Sequence, residues 1–130
     1  MTTALWCLAF LAFLPYVLAG TGTYLRVKEL GHLDNHTPRQ QWQQVKGAGA
    51  RIYAAQQNAW EALMFFTAAV VVTHFAGADP NAVGHGALVF TASRVAHAVF
   101  YAVNLAAARS LVFLVGFAAW CYLIWLAGTA

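Results

Sequence analysis

Four long apolar stretches, nearly free of charge, dominate this chain, and two of them carry one charged residue each well inside, Glu61 and Arg94. A run of about 20 apolar residues is long enough to cross a bilayer as a helix. Within hydrocarbon, a backbone without water must satisfy its own hydrogen bonds, which leaves helices or closed barrels. The periodicity is helical. Arg51, Ala54, Asn58, Glu61 and Phe65 fall on one face at steps of three and four, and so do Arg94, His97 and Tyr101. The expected fold is an all-α membrane protein, a single domain over residues 1–130.

Composition agrees. The 130 residues are 62% hydrophobic and only 8% charged, against about 25% charged in an ordinary soluble domain. A net charge of +3 raises the question of nucleic acid, but the charge is not spread as a nucleic-acid surface requires. Arg26, Lys28, Arg39, Lys46 and Arg51 all lie in one segment between apolar runs, as the positive-inside rule expects, and no nucleic-acid motif is present. Cys7 and Cys121 sit in apolar runs without metal or redox spacing, so they read as buried thiols.

The spans are expected at about 4–25, 51–75, 82–106 and 109–127, with a cytoplasmic loop at 26–50. The first run competes with a secretory signal peptide ending at Val17-Leu18-Ala19. It lacks a basic n-region and is long for an h-region, so it reads as a retained helix carrying Pro15. Thr37-Pro38 reads as a turn or helix start, and Gly77 to Asn81 as a short turn. Trp120, Tyr122 and Trp125 read as an interfacial aromatic belt. Short links give an up-down-up-down bundle with both termini outside the cytoplasm.

Depth brings the two polar stripes together. Glu61 lies roughly 15 Å along its helix from Arg51, and Arg94 roughly 18 Å from the end of its own helix on the same side. Asn58 and Tyr101 then lie nearer the cytoplasm, with Arg109 and Ser110 opening the last span. An arginine fork suits a carboxylate, and the neutral groups add donors and acceptors for a small anionic, peptide-like ligand. Competing readings remain for the parts. Glu61 and Arg94 read equally well as a buried ion pair that fixes register. Taken singly, His97 reads as an interior histidine and Tyr101 as an interfacial ring. His32, Asp34 and His36 alternate in the loop and read as solvated rather than metal-binding. Haem is not expected, because His74 and His85 do not match the depth of His97.

The pattern Arg51-x-Tyr53-x-x-Gln56-x-Asn58-x-x-Glu61, then Ser93-Arg94-Val95-Ala96-His97-x-x-x-Tyr101, then Arg109-Ser110 resembles the MAPEG family, membrane-associated proteins in eicosanoid and glutathione metabolism. The resemblance covers nearly the whole chain. It implies a homotrimer of four-helix protomers in the bacterial inner membrane, with glutathione bound between subunits in the cytoplasmic leaflet. It also implies a transferase or peroxidase acting on lipophilic electrophiles. Arg109 and Ser110 would then be catalytic, and Asn58, Glu61, Arg94, His97 and Tyr101 would hold the ligand. Arg51 would assist, as would Arg26 from a neighbouring subunit. The chain departs from the family where glutathione-using relatives carry an arginine, at Ala54, and at Gln57, which is basic in one relative. Two other classes remain open: a catalytically silent module binding another anionic amphiphile or a protein, and a small exporter coupled to protons through Glu61.

Overall fold

A computed structural model describes residues 1–130. It is all-helical: α1 (Thr3–Leu30), α2 (Pro38–Trp42), α3 (Gly47–Ala76), α4 (Pro80–Ala102) and α5 (Ala106–Gly128). Helices α1, α3 and α5 are long and apolar enough to cross a membrane. The fourth long helix, α4, is set apart by its content, since Asn81, His85, Arg94 and His97 lower its hydropathy.

The helix ends follow from local chemistry. Thr2 caps α1 by accepting from the Leu5 N–H, and the Asp79 carboxylate caps α4 by accepting from the Ala82 N–H at 3.0 Å. Pro80 occupies the first turn of α4, where a missing N–H costs nothing. Gly77 ends α3 in the left-handed conformation, φ +74°, which favours glycine. Helix α1 runs through Pro15 without interruption, and that proline is fully buried.

Helices α3 and α4 each touch the other three long helices and form the centre. Their apolar faces meet at Phe66 and Phe90, whose rings stack with centroids 4.5 Å apart. Ala4, Cys7, Leu11, Ala69, Ala87 and Leu123 fill in around them. Neighbours run antiparallel: Gly22 late in α1 lies against Ile52 early in α3, and Gly86 early in α4 lies against Leu123 late in α5. The same end of the molecule therefore holds the end of α1, the start of α3, the end of α4 and the start of α5. Outward faces are apolar, as on α1 with Trp6, Phe10, Phe13 and Val17 and on α5 with Leu111, Leu114 and Phe117. Surfaces of that size and character suit lipid or another subunit.

The loop expected at 26–50 is more ordered than its composition suggests. α1 continues to Leu30, and Pro38 starts α2. Buried Gln41 ties the segment together: its amide donates to the His32 carbonyl at 2.9 Å and accepts from the Asp34 N–H at 3.0 Å. Glu29, at the end of α1, accepts from the Lys46 N–H at 2.9 Å and so caps α3 from outside.

Candidate functional site

The α3 stripe reaches the surface at Asn58, which is half-buried, and Glu61, which is exposed on its own chain. Both line a cavity of about 190 Å³ between α3, α4 and α5. Its walls are largely aromatic, from Phe65, Phe90, Phe113, Phe117 and Trp120, so its polar groups are confined to Asn58, Glu61 and Arg94.

Arg94 is buried, 6% exposed, and does not pair with Glu61. No carboxylate lies within 4.0 Å of any cationic side chain in the chain. The expected ion pair is therefore corrected. The Arg94 guanidinium turns instead to α5: Nη2 donates to the carbonyls of Val112 (3.3 Å) and Phe113 (3.5 Å), and Nε donates to Ser93 Oγ (3.4 Å). The cause is Gly116. A Cβ there would lie 2.6 Å from Arg94 Nη2 and would also collide with Ser93 Oγ, so only glycine admits the guanidinium against α5. Phe90 and Phe113 flank it, with its Cζ 5.5 and 5.4 Å from their ring centroids.

A second, more open cavity of about 350 Å³ is lined by Asn58, His97, Tyr101, Arg109, Ser110, Phe113 and Leu114. Asn58 and Phe113 border both spaces, so the two lie side by side as a groove between α3, α4 and α5. The tight turn between α4 and α5, with Asn104 at φ +61°, brings Arg109 back over Tyr101. The Arg109 guanidinium lies 4.2 Å from the Tyr101 ring centroid and, like Arg94, has no carboxylate partner. His97 meets Tyr101 edge to face at 5.1 Å. Ser110 Oγ donates to the Ala106 carbonyl at 3.1 Å and keeps its lone pairs free to accept.

Seven of the nine expected site residues thus converge: Asn58, Glu61, Arg94, His97, Tyr101, Arg109 and Ser110. Two do not. Arg26 is buried, 5% exposed, with its guanidinium 4.6 Å from the Trp42 ring and Nη1 donating to the Pro38 carbonyl at 3.4 Å. Trp42 in turn stacks on Tyr53. The aromatic lid that α2 lays over the ends of α1 and α3 holds Arg26 within its own chain. Arg51 lines neither cavity, and its Nε is enclosed without a partner.

The structure adds residues the sequence reading missed. Trp120 is not simply a belt residue. Its indole N–H donates to the Phe65 carbonyl at 2.9 Å and its ring packs edge to face on Phe65, closing one end of the aromatic cavity. The signal was present, since Phe113, Phe117 and Trp120 follow one another at helical spacing. In the loop, the Asp34 carboxylate accepts from the N–H groups of His36 and Thr37 and from the Thr37 hydroxyl. The Thr37 hydroxyl first, then those N–H groups, hold its carboxyl below the ordinary carboxylate range.

Chemically, the groove presents two guanidinium groups and one carboxylate, none paired with another, beside a tyrosine, a histidine and an amide. That set suits a small zwitterion bearing extra negative charge. A family model, that of the MAPEG family, matches residues 3–129. No curated protein matches the chain.

Proposed function

The chain belongs to the MAPEG family, and from that premise we propose that it is a glutathione-dependent transferase or peroxidase acting on lipophilic electrophiles. The observation that supports this most is the Arg109 guanidinium, stacked on Tyr101 at the open cavity and without any carboxylate partner. A free cation beside a thiol favours its thiolate, lowering the thiol pKa from about 8.5. When bound, glutathione supplies the nucleophilic sulfur. In this reading Arg109 and Ser110 stabilise and orient it, and Tyr101 holds Arg109 in place. Glu61 faces the ligand ammonium, while Arg94 and Asn58 face the adjacent carboxylate. His97 packs behind Tyr101 as a wall.

In this reading α4 is a fourth span, giving an up-down-up-down bundle with both termini outside the cytoplasm and a homotrimer in the bacterial inner membrane. Exposed Glu61 supports assembly, because a carboxylate facing lipid is costly and a neighbouring subunit would cover it. Apolar substrates then reach the groove laterally from lipid.

The test is conjugation of 1-chloro-2,4-dinitrobenzene by purified protein. The reaction forms one carbon–sulfur bond, breaks one carbon–chlorine bond and releases chloride and the thiol proton. Catalysed, saturable conjugation is expected; a rate equal to the uncatalysed one, together with no peroxidase activity toward cumene hydroperoxide, would sink the reading. A second reading, a silent binding module, is favoured by one feature, the neutral Ala54 and Gln57 on the turn before Asn58.

A further inference from the structure

Gly116 stands in the interior of α5, where glycine is less favourable than alanine. Side chains on a helix tilt toward its N-terminus, so one at 116 would overlie the carbonyls of Val112 and Phe113. Its absence opens them. Arg94 Nη2 donates to both, at 3.3 and 3.5 Å, while Nε donates to Ser93 Oγ at 3.4 Å. Nη1 makes no bond, and it is not enclosed as the Nε atoms of Arg26 and Arg51 are. Arg94 lines the aromatic cavity, so Nη1 is the donor it has left for that space.

Glu61 lines the same cavity. Opposite charges in a space with aromatic walls attract strongly, because little water screens them. They nevertheless stay more than 4.0 Å apart. What holds the guanidinium back is its seat on α5, made of three long hydrogen bonds and the two flanking rings of Phe90 and Phe113. A Cβ at 116 would abolish that seat, since it would lie 2.6 Å from Nη2, 3.1 Å from Cζ and closer still to Ser93 Oγ. The rings close the flanks of the guanidinium, which leaves the cavity, and Glu61 in it, as the way out.

We propose that Gly116 is a positioning residue that never touches the ligand: by seating Arg94 on α5 it keeps that cation from collapsing onto Glu61, so both charges stay available to an amino-acid zwitterion. Granted the thiol reading above, on which this identification alone rests, the zwitterion is the amino-acid end of glutathione. The test is a cycle of Gly116→Ala and Glu61→Gln in the purified protein, read first by thermal unfolding without ligand. In the wild-type background Glu61→Gln should leave the midpoint unchanged. In Gly116→Ala the displaced guanidinium depends on Glu61, so adding Glu61→Gln should lower the midpoint by about 4 °C. A merely structural glycine gives no such dependence. Calorimetry then reads the ligand. Gly116→Ala should bind glutathione about tenfold more weakly than wild type, and Glu61→Gln should weaken binding no further on that background. If Gly116→Ala fails to fold, Ser93→Ala is added to remove the oxygen that the new methyl would meet first, and the same comparison is made. Equal effects of Glu61→Gln on the midpoint in both backgrounds, or glutathione binding undiminished by Gly116→Ala, overturns the proposal. Dependence on Glu61 in Gly116→Ala, with no glutathione bound by any form, keeps the positioning role and overturns the thiol reading.

Discussion

The α3–α4–α5 groove and the segment between α1 and α3 both gather polar side chains at one end of the molecule, yet they spend them differently. In the segment, Glu29 caps α3, Asp34 closes its own turn and Gln41 bridges two backbone groups. Those side chains hold the fold. In the groove, Glu61 and Arg109 face a cavity without an ion-pair partner. Arg94 sits between the two cases, because its hydrogen bonds to α5 are structural while its flank lines the cavity. Buried polar groups are normally satisfied, and a protein that leaves charges unpaired at membrane depth keeps them for something else.

Substitutions can break this contrast, starting with the largest effect. Arg94→Ala removes the bonds to Val112 and Phe113 and leaves a void beside Gly116, so it should cost about 3 kcal/mol of stability. Thermal unfolding in detergent checks this; an unchanged midpoint would mean that Arg94 is not structural. Arg109→Ala should instead leave the midpoint alone and lower conjugation about thirtyfold at pH 7, through loss of thiolate. The sign with pH follows. The guanidinium matters where the free thiol is protonated, so the deficit should fade above about pH 9, where thiolate forms unaided. A deficit constant with pH would remove Arg109 from thiol activation.

Gln41→Ala acts on the other region. Losing two hydrogen bonds should loosen residues 31–46 by about 2 kcal/mol, seen as faster amide hydrogen exchange, with thiol binding unchanged. Weakened binding would show that the two regions are not separable. Smallest is the acid response of Asp34. Its carboxyl is depressed by its hydrogen bonds, so the turn it stabilises persists above the ordinary carboxylate pKa and is lost only as pH falls through the lower folded value. The protection of the His36 and Thr37 amides, their exchange taken relative to the base-catalysed rate of a free chain at each pH, should therefore not change between pH 8 and pH 5.

Much of this was legible in the sequence because bilayer physics is severe. Apolar runs fixed the helices to within a few residues at each end, and the steps of three and four put Asn58, Glu61, Arg94, His97 and Tyr101 where they meet. What depth arithmetic along an axis lacks is rotation about it. It placed Glu61 and Arg94 at one level but not the direction of the guanidinium, which depends on the absence of a Cβ at Gly116 on a third helix. Arg26 was hidden for a similar reason: its partner Trp42 lies on the short helix α2, in a segment that composition alone reads as loop.

Calorimetry on Glu61→Gln tests the central claim, that the groove's charges are held for a ligand and not for the fold. Because Glu61 has no ion pair in its chain, its neutral variant should unfold at the wild-type temperature and bind glutathione about tenfold more weakly, one lost charge contact. Undiminished binding together with a clear drop in unfolding temperature would contradict the account.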